Sequence, residues 1–316
     1  MTAQNQPATT SARHNGLDSR THPTGHHALP RPTTMPAQPA VHLHLIAYSD
    51  ATREEVQPPW QLLDNRANPR PDWFEYGPLR QTLLQTQHQG SWDENAFYGW
   101  FSPKFSAKTG LDHDQVVGFV QRHAAQADVL LFSPQPDMGA FFLNVFEQGE
   151  TFDPGLIDAY SQFLDSIGRS AALRQMVMDT RQVCFSNYFV ARPAFWREWL
   201  ALNEALYAAC EGPPTALQQA LTLTTTYPGP AGGVQRKVFL QERAVSLLLA
   251  TQPQWRSVPY DPFGMGWSVS RFRDHPQDAF ISDALKRAYR DTGWPEYMSA
   301  FAATRQRFLA PVQQAA

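Results

Sequence analysis

The stretch VHLHLIAYSD, residues 41–50, decides the reading of the fold. It alternates apolar and polar side chains before turning continuously apolar, the pattern of a core strand. Order is therefore expected to begin at Val41, with Tyr48, Ser49 and Asp50 delivered to the C-terminal edge of that strand. Downstream, DVLLFS (128–133) is a short apolar run closed by Pro134 and reads as a second buried strand. Residues 96–101, leading into a Ser102-Pro103 turn, and 184–191 read as further strands, with 255–259 strand-like.

Helical patterns fall between these runs. They cover 79–87, then 112–127 with Asp112 as cap and Val116, Val117, Phe119 and Val120 inward, then 154–167 stopped by Gly168. Two more run from Pro193, placed in a first turn, to 210 and over 241–250. Strands alternating with helices imply an α/β layer architecture, read as a single domain over 41–316. Residues 1–40 are rich in Thr, Pro, Gln, Ala and His, carry no apolar periodicity, and read as a disordered leader. Residues 51–78 hold too many prolines for regular structure and too many rings for disorder, so a packed loop is expected. The Gly-rich stretch 212–233 reads as a mobile crossing or lid, and 261–316 as a C-terminal helical wrap.

Bulk properties remove several function classes. A formal charge of -3 lacks the basic excess behind sequence-independent nucleic-acid binding. Two cysteines, Cys184 and Cys210, are too few for a disulfide framework or a four-cysteine zinc site. No apolar run approaches the ~20 residues of a transmembrane helix, so a cytoplasmic protein is expected, with peripheral membrane association left open. Walker, nucleophile-elbow and His-Glu-x-x-His motifs do not occur.

In an open α/β sheet, ligands bind beyond the carboxyl ends of the strands, so chemistry is sought there first. Tyr48, Ser49, Asp50 and Arg53 follow the first strand, where a base or ribose could sit; a Ser or Asx turn into a helix explains them equally well. In FYGWFSPKFSAKTG (97–110), Tyr98 and Trp100 are candidate ring platforms, and Ser102 adds a hydroxyl. Lys104 and Lys108, four apart, could face one diphosphate. Asp137, in PQPD, is a candidate catalytic residue and a candidate ligand for Mn or Mg, but a lone carboxylate holds a hard cation weakly. Glu147 and Glu150 could add oxygens. Asn187 and Tyr188, with Glu242 and Arg243, form the last cluster, in which a desolvated Glu242 would serve as base.

The segments NYFVARPAFWREWLALNEALY (187–207) and VFLQERAVSLLLA (238–250) resemble GT-A-like glycosyltransferase-type proteins of bacterial capsule and O-antigen polysaccharide biosynthesis. FYGWFSPKFSAKTG, LDNRANPRPDWFEYGPLR (63–80) and FEQGETFDPG (146–155) extend the likeness, which covers about 41–259. The resemblance implies a Rossmann-like GT-A fold with a mixed sheet flanked by helices, a nucleotide-sugar donor and a glycan or lipid-linked acceptor. By it, Tyr48, Lys104 and Asp137 lie near the donor and Glu242 near the acceptor. The chain departs from the metal-binding Asp-x-Asp pattern, with Gln135 where the first Asp is expected. A catalytically inactive GT-A-like domain that binds glycan or a partner is the alternative expectation, and phosphoryl transfer is a third.

Overall fold

The computed structural model describes residues 38–229 and 232–313; the expected leader lies, apart from 38–40, outside the described residues. Among these described residues eight strands are formed: β1 (Val41–Ala47), β2 (Gln61–Asp64), β3 (Phe97–Phe101), β4 (Val129–Leu131), β5 (Phe189–Ala191), β6 (Thr224–Gly229), β7 (Gly232–Gln235) and β8 (Ser257–Pro259). Six make one sheet in the order β2-β1-β3-β5-β4-β8. β1 is parallel to β2 and β3, β4 is parallel to β8, and β5 runs antiparallel to both neighbours. The sheet is therefore mixed, and the C-terminal ends of β1, β3 and β4 share one edge with the segment that enters β5.

Strand pleating sorts the side chains between two cores. In β3, Phe97 and Phe101 join a cluster with Leu43, Leu45, Phe132 and Val190, covered by helix His113–His123 through Val116, Phe119 and Val120. Trp100 points the other way, into a core with Tyr76, Phe189, Trp196 and Trp199 under helices Tyr76–Gln89, Leu156–Ser166, Pro193–Glu211 and Ala244–Thr251. The alternating start of β1 follows from this pleat, since His42 and His44 stack on Tyr98 and Trp100 at 4.9 and 5.3 Å between ring centroids. Asp112 caps as expected, accepting from the Gln115 amide at 2.8 Å while Gln115 Oε1 accepts from the Asp112 amide at 2.9 Å.

At Gly99 the core that holds Phe97 and Phe101 leaves no room for a side chain: an added Cβ would lie 2.8 Å from Val190 Cγ2 and 3.2 Å from Leu43 Cδ2 and Phe101 Cζ. Gly99→Ala is expected to destabilise the protein by about 1–3 kcal/mol through overpacking, seen as a lower urea midpoint with an unchanged m-value.

Three regions depart from the sequence expectations. The stretch 51–78 is not wholly loop: it contains β2, a short helix Asp50–Glu54 and a 3-10 turn Pro71–Trp73. β2 has no apolar pattern to betray it because it is a mostly exposed edge strand. The lid expected over 212–233 is instead a helix, Ala216–Thr222, followed by the β6-β7 hairpin. The strand expected over 184–191 is shortened to β5, because Ser186 and Asn187 take left-handed backbone conformations at φ 60° and 53°. In the C-terminal region, helices Pro276–Thr292 and Pro295–Gln313 pair, and the first packs on the short helix Pro136–Ala140. No helix among the described residues is long and apolar enough to cross a membrane.

Candidate functional site

Residues from five separated stretches meet where β1, β3 and β4 end. Tyr48 follows β1, and its phenol oxygen is buried with no hydrogen-bond partner. Ser102 follows β3 and lies 2.7 Å from the Tyr188 hydroxyl. Lys108, near the end of the short helix Phe105–Thr109, donates to Ser186 Oγ at 2.9 Å, with its ammonium 5.6 Å from the Tyr188 ring centroid. Ser133 Oγ, just past β4, accepts from the Phe185 amide at 2.9 Å, and Ser246 Oγ accepts from the Cys184 amide at 3.0 Å. These two hydroxyls anchor the entry to the turn that forces Ser186 and Asn187 into the left-handed region. Two consecutive non-glycine residues there carry backbone strain, which surrounding structure must hold in place and which concentrates at working sites.

The turn presents Asn187 beside the helix Arg236–Glu242, where its Nδ2 donates to Gln241 Oε1 at 3.1 Å. The other ends of both amides, Asn187 Oδ1 and Gln241 Nε2, are buried without partners. An unsatisfied buried polar atom costs about 1–3 kcal/mol, so this acceptor and this donor each keep capacity for a further polar partner.

Glu242 closes the cluster. One side of this residue stays open to solvent, yet its carboxylate has no hydrogen-bond or ion-pair partner among the described residues. The protein packed around the carboxyl raises its pKa to about 7; the charge of Glu75 adds to the rise, and Arg243 and Lys108 oppose it. Tyr188 and Tyr48 are pushed above the usual phenol range, chiefly by burial, and the charge of Glu75 contributes to both. Both phenols therefore stay protonated and able to donate. Glu75 is the site residue that sequence reading missed. It sits in the proline-rich stretch, immediately after Phe74, whose φ of 47° turns the chain into helix Tyr76–Gln89. No sequence period signals that bend; only the strand-end chemistry around it does.

Other candidates lie elsewhere or do different work. Ser49 caps helix Asp50–Glu54 in a reciprocal box with Thr52, Asp50 pairs with Arg66 at 2.6 Å, and Arg53 is exposed in that helix's last turn, so the capping alternative describes them. Tyr98 and Trp100 are not ligand platforms: Trp100 packs edge-on against Trp196 in the core, and the Tyr98 hydroxyl accepts from the Asp93 amide at 3.0 Å. Lys104 is exposed before the first turn of its helix, whereas Lys108 is half-buried on Ser186, so the two ammoniums do not share one anion pocket. Arg243 is buried beside Gly149 and donates to Val145 O, Phe239 O and Gln148 Oε1, tying helix Val145–Phe152 to helix Arg236–Glu242.

Asp137 is fully buried, and its oxygens accept from the Ser268 amide at 3.1 Å, the Ser268 hydroxyl and the Ser270 hydroxyl at 3.1 Å. These contacts occupy both oxygens, so Asp137 fits neither a catalytic role nor that of a ligand to Mn or Mg. Glu147 accepts from the Leu143 amide and from Arg305, and Glu150 from the amides of Gly155 and Ile157, so both carboxylates fasten helices and loops. Among the described residues no group of three or more His, Cys, Asp and Glu side chains is placed to hold a metal ion.

No family model, curated protein or solved structure matches the chain. The functional reading therefore stands on the geometry of the strand-end cluster.

Proposed function

We propose that the chain transfers a glycosyl group from a nucleotide-sugar donor to a hydroxyl of a glycan or lipid-linked acceptor at the cluster of Tyr48, Glu75, Lys108, Asn187, Tyr188 and Glu242. The observation that carries this reading is the Glu242 carboxylate, unpaired at a strand-end edge and raised to about 7. A base whose pKa lies near the operating pH removes the acceptor proton most effectively, a contribution of about 10²–10⁴ in rate. Lys108 supplies positive charge toward the diphosphate leaving group, and the two protonated phenols add hydrogen-bond donors. The unsatisfied ends of Asn187 and Gln241 orient sugar hydroxyls.

One observation favours a second reading. Glu75 and Glu242 set two carboxylates against Lys108 and Arg243, and Arg243 is already committed to Val145 O, Phe239 O and Gln148 Oε1, a balance better suited to an uncharged glycan than to a diphosphate. Binding without transfer, the inactive GT-A-like alternative, follows from that balance.

Thermal melting with UDP-, GDP- and CMP-sugars separates the two. A donor that binds only the folded chain at one hundred times its Kd adds about 2.7 kcal/mol of stability. Glycosyl transfer requires at least one nucleotide sugar to raise the Tm, and Lys108→Met to weaken that rise. If no nucleotide sugar shifts the melt at millimolar concentration, the transfer reading is wrong.

A further inference from the structure

A cavity of about 510 Å³ shares no lining residue with the carboxylate cluster. Its floor and walls come from helix Val145–Phe152, from Phe239 and Arg243, from the 268–270 segment, and from Thr225–Tyr227 of β6. Three properties of the wall define what it would take.

The first is its rings. Phe152 and Tyr227 are 55% and 60% exposed, far more than large aromatic side chains ordinarily are in a folded chain. Tyr227 is not adrift, because its ring stands edge-on to Phe239 at 5.4 Å. Both rings line the cavity with more than half of their surface open.

The second is charge. The ionic groups lining the space are already consumed by protein partners: Arg243 by two carbonyls and Gln148, and Asp153 by the buried Arg236 at 2.6 and 2.8 Å. A phosphate, carboxylate or ammonium entering here would meet no uncommitted opposite charge on Arg243 or Asp153.

The third is hydrogen-bonding capacity. Gln148 uses its carbonyl oxygen toward Arg243 and keeps its amide N–H groups for another acceptor, and the Thr226 hydroxyl makes no hydrogen bond among the described residues. An alkyl chain would bury these groups unsatisfied, at about 1–3 kcal/mol each. A sugar ring, apolar on its C–H face and hydroxylated at its edge, satisfies rings and polar groups together.

We infer that this cavity is a binding site for a neutral oligosaccharide, separate from the carboxylate cluster and independent of whether that cluster transfers sugar.

The test is calorimetric titration of the full chain with maltotriose and chitotriose as neutral probes, sialyllactose as a charged one and a dodecyl maltoside as an alkyl one. At least one neutral trisaccharide is expected to bind, and Tyr227→Ala and Phe152→Ala are each expected to weaken it tenfold or more. Both rings are exposed, so the variants should keep the parental Tm, and nucleotide-sugar binding should be unchanged in them. The inference is overturned if neither neutral trisaccharide binds at millimolar concentration, if both ring variants bind as the parent does, or if only the alkyl probe binds. A chain that binds trisaccharide and ignores every nucleotide sugar keeps this inference and loses the transfer reading; the opposite outcome does the reverse.

Discussion

Glu242→Gln is expected to melt higher than the parent at pH 8 and to match it at pH 4, while losing about 10²–10⁴ of any transfer rate. The sign follows from linkage. Below the ordinary Glu value of 4.5, Glu242 is protonated in both folded and unfolded chains. Between 4.5 and about 7 the unfolded chain has released this proton and the folded chain still holds it, so stability falls as pH rises. Above about 7 the penalty is constant. Its ceiling is about 3 kcal/mol, reduced by the solvent-open side of the residue, and a neutral amide removes most of it. Thermal melts of both proteins from pH 4 to pH 8 check the claim. Curves that stay parallel across that range would mean that Glu242 is an ordinary surface carboxylate. Gaining stability by deleting a group is the mark of a residue kept for what it does.

Arg236→Met is expected to destabilise the chain by about 3–5 kcal/mol. Arg236 is 4% exposed and donates to both Asp153 oxygens, to Ala220 O at 3.1 Å and to Pro154 O at 3.0 Å. Methionine fills much of the volume but leaves the Asp153 carboxylate buried without its cation. The double variant Arg236→Met with Asp153→Asn should recover part of the loss, because the stranded charge is then gone. Urea unfolding of the two single variants and the double variant measures this coupling. Additive losses would show that the pair contributes little beyond its two separate side chains. The arginine also joins the start of helix Arg236–Glu242 to the loop after helix Val145–Phe152, so it supports both the carboxylate cluster and the cavity wall.

Elements with local causes are legible in the sequence. β1, β3 and helix Pro193–Glu211 follow from apolar runs, a terminal turn and a proline in the first turn. Tyr48, Ser102, Lys108, Asn187 and Glu242 could be named because strand ends collect chemistry, and they do lie together. Asp137 could not be judged from its own neighbourhood, because the serines that occupy its oxygens lie more than a hundred residues downstream. The pleat of β3 sends Tyr98 and Trp100 into or against the core, and a strand one residue out of phase would have exposed them. Glu75 depends on a left-handed Phe74 within an irregular stretch, a conformation that packing imposes and periodicity does not announce. The first turns of helix Arg236–Glu242 precede the 241–250 helix that the apolar pattern announces, because a polar start, Gln235 and Arg236, hides a buried ion pair.

In the strand-end cluster, Glu242 is expected to titrate near neutrality. Carbon-13 NMR of protein labelled at the glutamate side-chain carboxyl carbon reads this directly, with Glu242→Gln supplying the assignment. One resonance should titrate with a midpoint near 7 and vanish in the variant. If every glutamate resonance titrates below pH 5.5, or the neutral one survives in Glu242→Gln, the proposed base is not there.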